Sequence, residues 1–574
     1  MQPSMNLVRS LARQLPSGAH GVKTFRSASF ATQAPKSVIK ENFEVISPFP
    51  STGPGKIDVC SRILDSARKW SHYTAMECGV TGSSYTYGEL VDRSLRWGSH
   101  LQSQGIGKGD VVGIFLPNCP SYGIAHLGTM TSGAAFTFIN SVFTADEVRY
   151  QLVDSGSKVI MVHPLMEGTA MKAIAGLPNP PKVYVAGPSS SGNPNFLEIA
   201  ENKNIPFIDF KGFDGNDVCC LQYSSGTTGL PKGAIFTHGR VTDHIPMTHQ
   251  PHLFPNIPTT EDKQDVLVAL LPFFHAYGLY ILLTSGLLIG SKLVTLPQFV
   301  PETFIATHKK HKVEVFHLVP PLLQFMAAHP MVKPEDLAHM RVAMCTAAPC
   351  PREAAIALKA KAPNPVFFQE AYGMTETFFT NFTPLSGPEK IGSCGPLLPN
   401  VRAKIFDLDT GKALGSGEDG ELCIKSPTLM NEYHGRPEAT AEMYTEDGYM
   451  KTGDIARYDE DGYFYIVDRL KELIKVKGSQ VSPSELENVL LRHPGIADAG
   501  VVGVEDIRAG ELPMAYIVKR NPELTEEEII SYLDDKVAPH KQLKGGVRFV
   551  EQLPKNATGK LVRKELKLWA SKTA

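Results

Sequence analysis

A chain of 574 residues exceeds what one hydrophobic core supports and predicts two or more domains. Hydrophobic residues make up 42% and charged residues 20%, ordinary for a globular protein, and a formal net charge of −2 gives no sign of a nucleic-acid surface. The nine cysteines are odd in number, scattered and without a C-x-x-C pair, which fits a reduced compartment and argues against a disulfide framework or a structural zinc site.

Residues 1–40 carry Arg9, Arg13, Lys23, Arg26, Lys36 and Lys40, several serines and no acid before Glu41. Leu7, Val8, Leu11 and Leu15 fall at near-helical spacing around Arg9 and Arg13. That composition predicts an organelle transit peptide, most simply mitochondrial; a tail basic by chance, with a cytoplasmic location, is the alternative. The terminal Ser571-Lys572-Thr573-Ala574 lacks the S-K-L address, so a peroxisomal signal is not supported.

From about residue 45, short apolar runs alternate with amphipathic stretches. Residues 88–104 carry a helical pattern, and residues 111–116 and 158–162 predict buried strands. Such alternation predicts layered α/β structure. Residues 279–296 are the most apolar stretch, but Thr284, Ser285, Ser291 and Lys292 interrupt it. It falls short of the roughly 18 unbroken apolar residues of a membrane span and reads as buried core. The expected fold is α/β: a large domain of layered α/β subdomains at 45–467, a charged hinge at 468–471, and a small mobile α+β lid domain at 472–574. In the lid, Ser482-Pro483-Ser484-Glu485 predicts a capping box with Val481 and Leu486 as hydrophobic staple, and Thr525 with Glu528 predicts a second one, stapled by Leu524 and Ile529.

The strongest chemical signal is Tyr223-Ser224-Ser225-Gly226-Thr227-Thr228-Gly229-Leu230-Pro231-Lys232-Gly233. Its glycines let backbone N–H groups approach an anion, its hydroxyls add donors and Lys232 adds charge. An apolar strand, residues 218–221, leads directly in. This is a phosphate cradle, although not a Walker A loop, because Pro231 precedes the lysine and Gly233 follows it.

The segment resembles the signature of the adenylate-forming (ANL) superfamily, which includes acyl-CoA synthetases, 4-coumarate–CoA ligases, beetle luciferases and peptide-synthetase adenylation domains. Further segments resemble its other motifs in order: Gln369-Glu370-Ala371-Tyr372-Gly373-Met374-Thr375-Glu376, then Tyr449-Met450-Lys451-Thr452-Gly453-Asp454, then the hinge Asp468-Arg469-Leu470-Lys471-Glu472-Leu473-Ile474-Lys475-Val476-Lys477-Gly478, then Pro554-Lys555-Asn556-Ala557-Thr558-Gly559-Lys560. The resemblance covers about residues 50–570.

It implies an acid–thiol ligase that joins a carboxylic acid to AMP and then to coenzyme A, using ATP and Mg²⁺. Ser224, Ser225, Gly226, Thr227, Thr228, Gly229 and Lys232 are the expected phosphate contacts, with Thr375 on the α-phosphate and Glu376 on the metal. Asp454 and Arg469 are expected at the ribose. Ala347, Ala348, Pro349, Glu370, Ala371, Tyr372 and Gly373 are expected around the adenine, with the Tyr372 ring packed on the base. Lys560 is expected to bridge the reacting carboxylate and α-phosphate, where charge neutralisation is the main catalytic task. After a swing about the hinge, Lys475, Lys477, Gly478 and Gln480 are expected to face coenzyme A.

Leu271-Pro272-Phe273-Phe274-His275-Ala276-Tyr277-Gly278 resembles the acid-pocket motif, with His275 at the carboxylate end, and Tyr277, Thr346 and Gly373 on the wall. The chain departs from 4-coumarate ligases in three places: Cys345-Thr346 replaces Ser-Gly, Glu370-Ala371 replaces Gln-Gly, and bulky Phe378 and Phe379 follow Glu376. These changes add apolar volume near the expected pocket floor, so a small, branched, medium-chain or aryl acid, including those of fatty-acid metabolism, fits as well as coumarate. A luciferase-like oxygenase, a carrier-loading adenylating enzyme and a non-catalytic nucleotide-binding scaffold are the alternatives. No nucleic-acid partner and no integral membrane segment are expected.

Overall fold

A computed structural model describes residues 36–55, 57–224, 230–387, 389–477, 479–506, 508–556 and 559–571. The transit-peptide reading lies, but for its last five residues, outside them.

The architecture is mixed α/β, with a large N-terminal and a small C-terminal domain. A seven-stranded sheet carries, in spatial order, Glu432–Tyr433, Lys232–Thr237, Val218–Ser224, Ala135–Phe138, Val111–Phe115, Ser157–Val162 and Lys182–Val185. Its five later members run parallel and its first two pairings are antiparallel. Parallel strands covered by helices on both faces read as unbroken apolar runs, which is why 111–116 and 158–162 are legible as strands. Those two pair directly, Val112 beside Val159. The helix expected at 88–104 runs Tyr87–Ser103, fixed by a capping box in which Thr86 and Glu89 satisfy each other's backbone N–H groups.

Two four-stranded sheets complete the α/β layers. The second, Val315–Leu318, Val342–Cys345, Phe367–Met374 and Phe378–Phe382, ends at the candidate site. A six-stranded antiparallel sheet, closing on Met450–Tyr458 and Phe464–Arg469, leads to the small domain. One continuous apolar core runs from Val45 to Phe464, and separate clusters around Val501 and Tyr516 hold the small domain. The apolar stretch at 279–296 is a π-helical segment, Gly278–Ser285, then Gly286–Leu288 and the strand Lys292–Thr295, almost wholly buried. Among the described residues no helix is long and apolar enough to cross a membrane.

Two local readings change. Ser482 caps the helix Pro483–Leu490 through Glu485 N at 3.0 Å, but the Glu485 carboxylate turns to Lys541 Nζ at 2.6 Å, because a full opposite charge outcompetes a backbone N–H. Thr525 and Glu528 do form the complete box. The charged joint is partly strand: Asp468 and Arg469 continue the ladder opposite Ile455 and Asp454, and a single 3₁₀ turn, Leu470–Glu472, makes the connection.

Candidate active site

The phosphate loop hangs between two antiparallel strands, with Ser224 opposite Lys232. Ser225, Gly226, Thr227, Thr228 and Gly229 lie outside the described residues. Both ends of the loop are braced by one helix, Ala145–Asp154. Tyr223 Oη donates to Asp154 Oδ2 at 2.7 Å before the loop, and Tyr150 Oη donates to the Pro231 carbonyl at 2.8 Å after it. Arg436 ties the brace together, paired with Asp154 and donating to Tyr150 Oη at 3.1 Å.

Thr375 and Glu376 occupy the tight turn between Phe367–Met374 and Phe378–Phe382. Thr377 Oγ1 accepts from Met374 N at 3.2 Å and closes that turn. Gly373 is required here: a Cβ on it meets the Phe378 carbonyl oxygen at 2.1 Å. Glu376 is buried, and its Oε1 accepts from Tyr433 Oη at 2.8 Å. Lys232 Nζ lies 5.0 Å from the centroid of the same tyrosine ring.

The ribose-side residues form a second group. Tyr372 Oη donates to Asp454 Oδ2 at 2.6 Å, and Arg469 Nε sits 3.2 Å from Asp454 Oδ1. Asp454 and Arg469 face each other across the last two strands of the antiparallel sheet. Cys345 ends its strand, and Thr346 Oγ1 donates to the Ala371 carbonyl at 2.6 Å, fixing Thr346-Ala347-Ala348-Pro349 against the Tyr372 strand. Ala347 holds a left-handed φ of 80°, a strained conformation of the kind stored at functional sites. Glu370 turns away from this group: its Oε1 accepts from Gly392 N at 2.5 Å, and burial raises its carboxyl to about 8.

On the acid side, His275 precedes the π-helical segment, and desolvation together with the charge of Lys560 lowers its imidazole to about 4. Tyr277 is buried; its hydroxyl lies 3.1 Å from His317 Nδ1 and donates to the Met344 carbonyl at 3.3 Å. Phe379 stands edge-on to Tyr277 with centroids 5.9 Å apart. Phe378 packs into the core against Phe236, Tyr280 and His244, so the volume it adds fills the protein interior. It does so at a φ of 57°, unusual for a bulky residue.

Lys560 reaches this site from the small domain. Asn556 fixes its turn by accepting from Gly559 N through its carbonyl at 2.8 Å and from Lys560 N through Oδ1 at 2.9 Å. A Cβ on Gly559 meets Pro321 of the large domain at 2.5 Å, so the turn sits flush on the helix Pro320–Ala328. The Lys560 ammonium is held below its usual range by desolvation first and by Arg469 second, with Glu472 and Asp454 opposing. Lys475 and Gln480 lie opposite each other on an exposed hairpin, with Lys477 at its turn and a φ of 49°. Gly478 lies outside the described residues. Tyr433, Tyr150, Asp154 and Arg436 escape sequence reasoning because they fall between motifs and only strand pairing brings them in.

The AMP-binding enzyme family matches residues 63–434, and its C-terminal domain family matches residues 485–560. The 4-coumarate–CoA ligase 3 of Oryza sativa subsp. japonica is 39% identical over 503 residues, covering 85% of this chain and 88% of that one. The probable 4-coumarate–CoA ligase 3 of Dictyostelium discoideum is 36% identical over 507 residues, with coverages of 85% and 91%. An ATP-bound crystal structure of MatB from Rhodopseudomonas palustris has a TM-score of 0.80 at 28% identity, covering 89% of this chain and 98% of that one. The chain belongs to the AMP-binding, adenylate-forming enzyme family. Within that family it is similar, over most of its length, to 4-coumarate–CoA ligases.

Proposed function

We infer that the protein is an ATP-dependent acid–CoA ligase that forms an acyl-adenylate and then an acyl-CoA thioester on an aryl or small carboxylic acid. The observation that carries this reading is the seating of the Lys560 turn against Pro321 of the large domain, within electrostatic reach of Asp454, Arg469 and His275. In the first step the acid's oxygen attacks the α-phosphorus and pyrophosphate leaves. Lys560 neutralises the two anions as they meet, and Thr375 donates to the α-phosphate. Lys232, Ser224 and the intervening loop hold the leaving phosphates. Asp454 accepts from the ribose, with its orientation fixed by Tyr372 and Arg469. His275, neutral at working pH, is free to hydrogen-bond the carboxylate end without forming a salt bridge.

A divalent cation fits this site in one mode. Among the described residues no group of three or more His, Cys, Asp or Glu can cage a metal. Glu376 offers one buried carboxylate beside the phosphate loop, which suits Mg²⁺ carried in on nucleotide phosphates. For thiol transfer the small domain turns about Leu470–Glu472 and presents Lys475, Lys477, Gly478 and Gln480 to coenzyme A. The family's activity at large, rather than any pocket dimension, supports free coenzyme A over a luciferase-like outcome or a carrier protein. The composition of residues 1–40 supports delivery to mitochondria, which a reporter fused to that leader tests.

The deciding experiment is pyrophosphate release from ATP and Mg²⁺ across acids from acetate through octanoate to benzoate and coumarate, with and without coenzyme A. Release with one acid class, and thioester only when coenzyme A is added, is the expected result. Nucleotide binding with silence across the panel moves the protein to the scaffold reading.

A further inference from the structure

The segment 430–434 is stitched into two motifs far from it in sequence. Met430 N donates to the Glu376 carbonyl at 2.8 Å, Asn431 N to the Ile235 carbonyl at 2.8 Å and His434 N to the Gly233 carbonyl at 2.8 Å. Tyr433 pairs with Ala234 across the edge of the seven-stranded sheet, and its own N–H is satisfied by Thr440 Oγ1 at 2.9 Å. The backbone of this short strand therefore cannot shift without disturbing both the phosphate-loop strand and the turn of Glu376.

From this fixed position the Tyr433 side chain touches three groups. Its hydroxyl donates to Glu376 Oε1 at 2.8 Å. The same hydroxyl lies 4.0 Å from Met443 Sδ. Its ring face carries Lys232 Nζ at 5.0 Å from the centroid. A hydroxyl donor on one carboxylate oxygen leaves the other oxygen to a cation and stops the carboxylate from rotating. A lysine over an aromatic face is attracted by the ring quadrupole, so it is held near the phosphate path.

Resting on the ligase reading above, we propose that Tyr433 is a positioning residue for the metal–phosphate end of the nucleotide: its hydroxyl orients the Glu376 carboxylate toward a phosphate-borne divalent cation, and its ring steadies Lys232. It touches no reacting atom. It acts through Glu376 and Lys232.

The test uses the full chain and a non-reactive ATP analogue with a methylene between the α- and β-phosphates. Binding is followed by calorimetry over a Mg²⁺ titration, alongside pyrophosphate release with an accepted acid. Tyr433→Phe keeps the ring and removes only the hydroxyl. The half-saturating Mg²⁺ concentration is expected to rise about tenfold, the low end of what losing a ligand's hydrogen-bond partner costs, while AMP binding stays at its wild-type value. In a double-mutant cycle, Tyr433→Phe added to Glu376→Gln is expected to cost no more than Glu376→Gln alone. Tyr433→Leu is expected to weaken pyrophosphate binding further, through Lys232. If Tyr433→Leu does not fold, the Tyr433→Phe titration and the cycle decide alone. An unchanged Mg²⁺ titration in Tyr433→Phe, or additive losses in the cycle, overturns the proposal. A wild-type chain that binds the analogue with no response to Mg²⁺ overturns the parent reading and this proposal with it.

Discussion

The Tyr372 hydroxyl donates to Asp454 Oδ2 at 2.6 Å, while Arg469 Nε holds Oδ1 at 3.2 Å. One carboxylate is thus fixed by a strand of the central layers on one side and by the last strand before the small domain on the other. Each oxygen keeps a free lone-pair direction for a sugar hydroxyl. Tyr372→Phe keeps the ring and removes one donor from a buried charge, a contact type that contributes about 1.5–3 kcal/mol. Arg469 remains to share the load, so the KM for ATP is expected to rise about tenfold with kcat changed less than threefold. Steady-state kinetics at saturating acid checks this, and an unchanged KM removes Tyr372 from the ribose anchor.

Lys560 is half-buried at a junction between domains, and its turn is held by Asn556 rather than by its own side chain. Lys560→Ala is therefore expected to leave folding intact and to slow adenylate formation by about 10²–10³, the loss typical for one donor at an oxyanion site. Thioester formation from a preformed acyl-adenylate is expected to fall far less, because on the proposed hinge swing that half-reaction presents the other face of the small domain. Pyrophosphate release and acyl-CoA formation, measured separately, distinguish the two. Equal loss in both half-reactions contradicts the division of labour.

Asp154 illustrates what the sequence cannot disclose. The phosphate loop announces itself through glycines, hydroxyls and Lys232, since those residue types serve the anion directly. Its braces, Tyr150 and Asp154, are ordinary helix residues at i and i+4, and only the parallel pairing of Ala135–Phe138 with Val218–Ser224 brings their helix beside the loop. The layered α/β class and the two-domain division are legible because buried parallel strands and capping boxes are local signals. Phe378 is the reverse case: sequence places its bulk at a pocket floor, whereas backbone geometry at φ 57° turns the ring into the core. Glu485 likewise spends its carboxylate on Lys541, a partner 56 residues away that no local rule exposes.

Asp154 also supports a prediction. It takes a hydrogen bond from Tyr223 and pairs with Arg436, both at the loop's flanks. Asp154→Ala leaves the half-buried Arg436 guanidinium and the Tyr223 hydroxyl short of a partner. A loss of about 2 kcal/mol in stability is expected from those unmet groups. A rise in the KM for ATP is expected with no change in the KM for the acid, because the brace touches only the phosphate loop. Urea titration and paired kinetics check both, and a shift confined to the acid assigns the brace to a different site.

The Phe378 ring packs against Phe236, Tyr280 and His244, with centroid separations of 4.2, 4.2 and 4.9 Å. Phe378→Ala removes these contacts but keeps the left-handed backbone, which alanine adopts no more readily. A loss of about 3–5 kcal/mol is expected from the cavity. Because the ring faces the core, the preference among acids of different length is expected to stay as in the parent chain. Chemical denaturation measures the first, and the acid panel the second. A gain of longer acids with little loss of stability returns Phe378 to the pocket floor.

Seven enclosed histidines are expected to set the acid limit of the fold. His126, His249 and His317 are pushed down to about 3, and His238, His244, His275 and His308 to about 4, in each case chiefly by burial. An unfolded imidazole binds its proton near pH 6.5, so between pH 6.5 and 4 the unfolded chain holds protons that the native chain refuses. Stability from these groups is complete above pH 6.5 and is lost as pH falls through that window. Three buried carboxyls work the other way. Asp265, raised to about 6, and Glu370 and Glu487, each raised to about 8, stay protonated in the native state after the unfolded chain has released their protons, so their contribution falls as pH rises. Seven groups oppose three below pH 6, and Glu370 and Glu487 continue to pH 8. The melting temperature is therefore expected to peak near pH 6.5–7, to drop steeply toward pH 5 and to decline gently toward pH 8. Glu370→Gln, which can still accept from Gly392 N without titrating, is expected to reduce the decline toward pH 8, with Glu487 carrying the rest, and to steepen the acid side slightly. Differential scanning calorimetry from pH 5 to 8 on both chains reads this directly. A flat profile between pH 5 and 6.5 means that the histidines are already protonated in the native state, and an alkaline slope unchanged in the variant means that another group carries it.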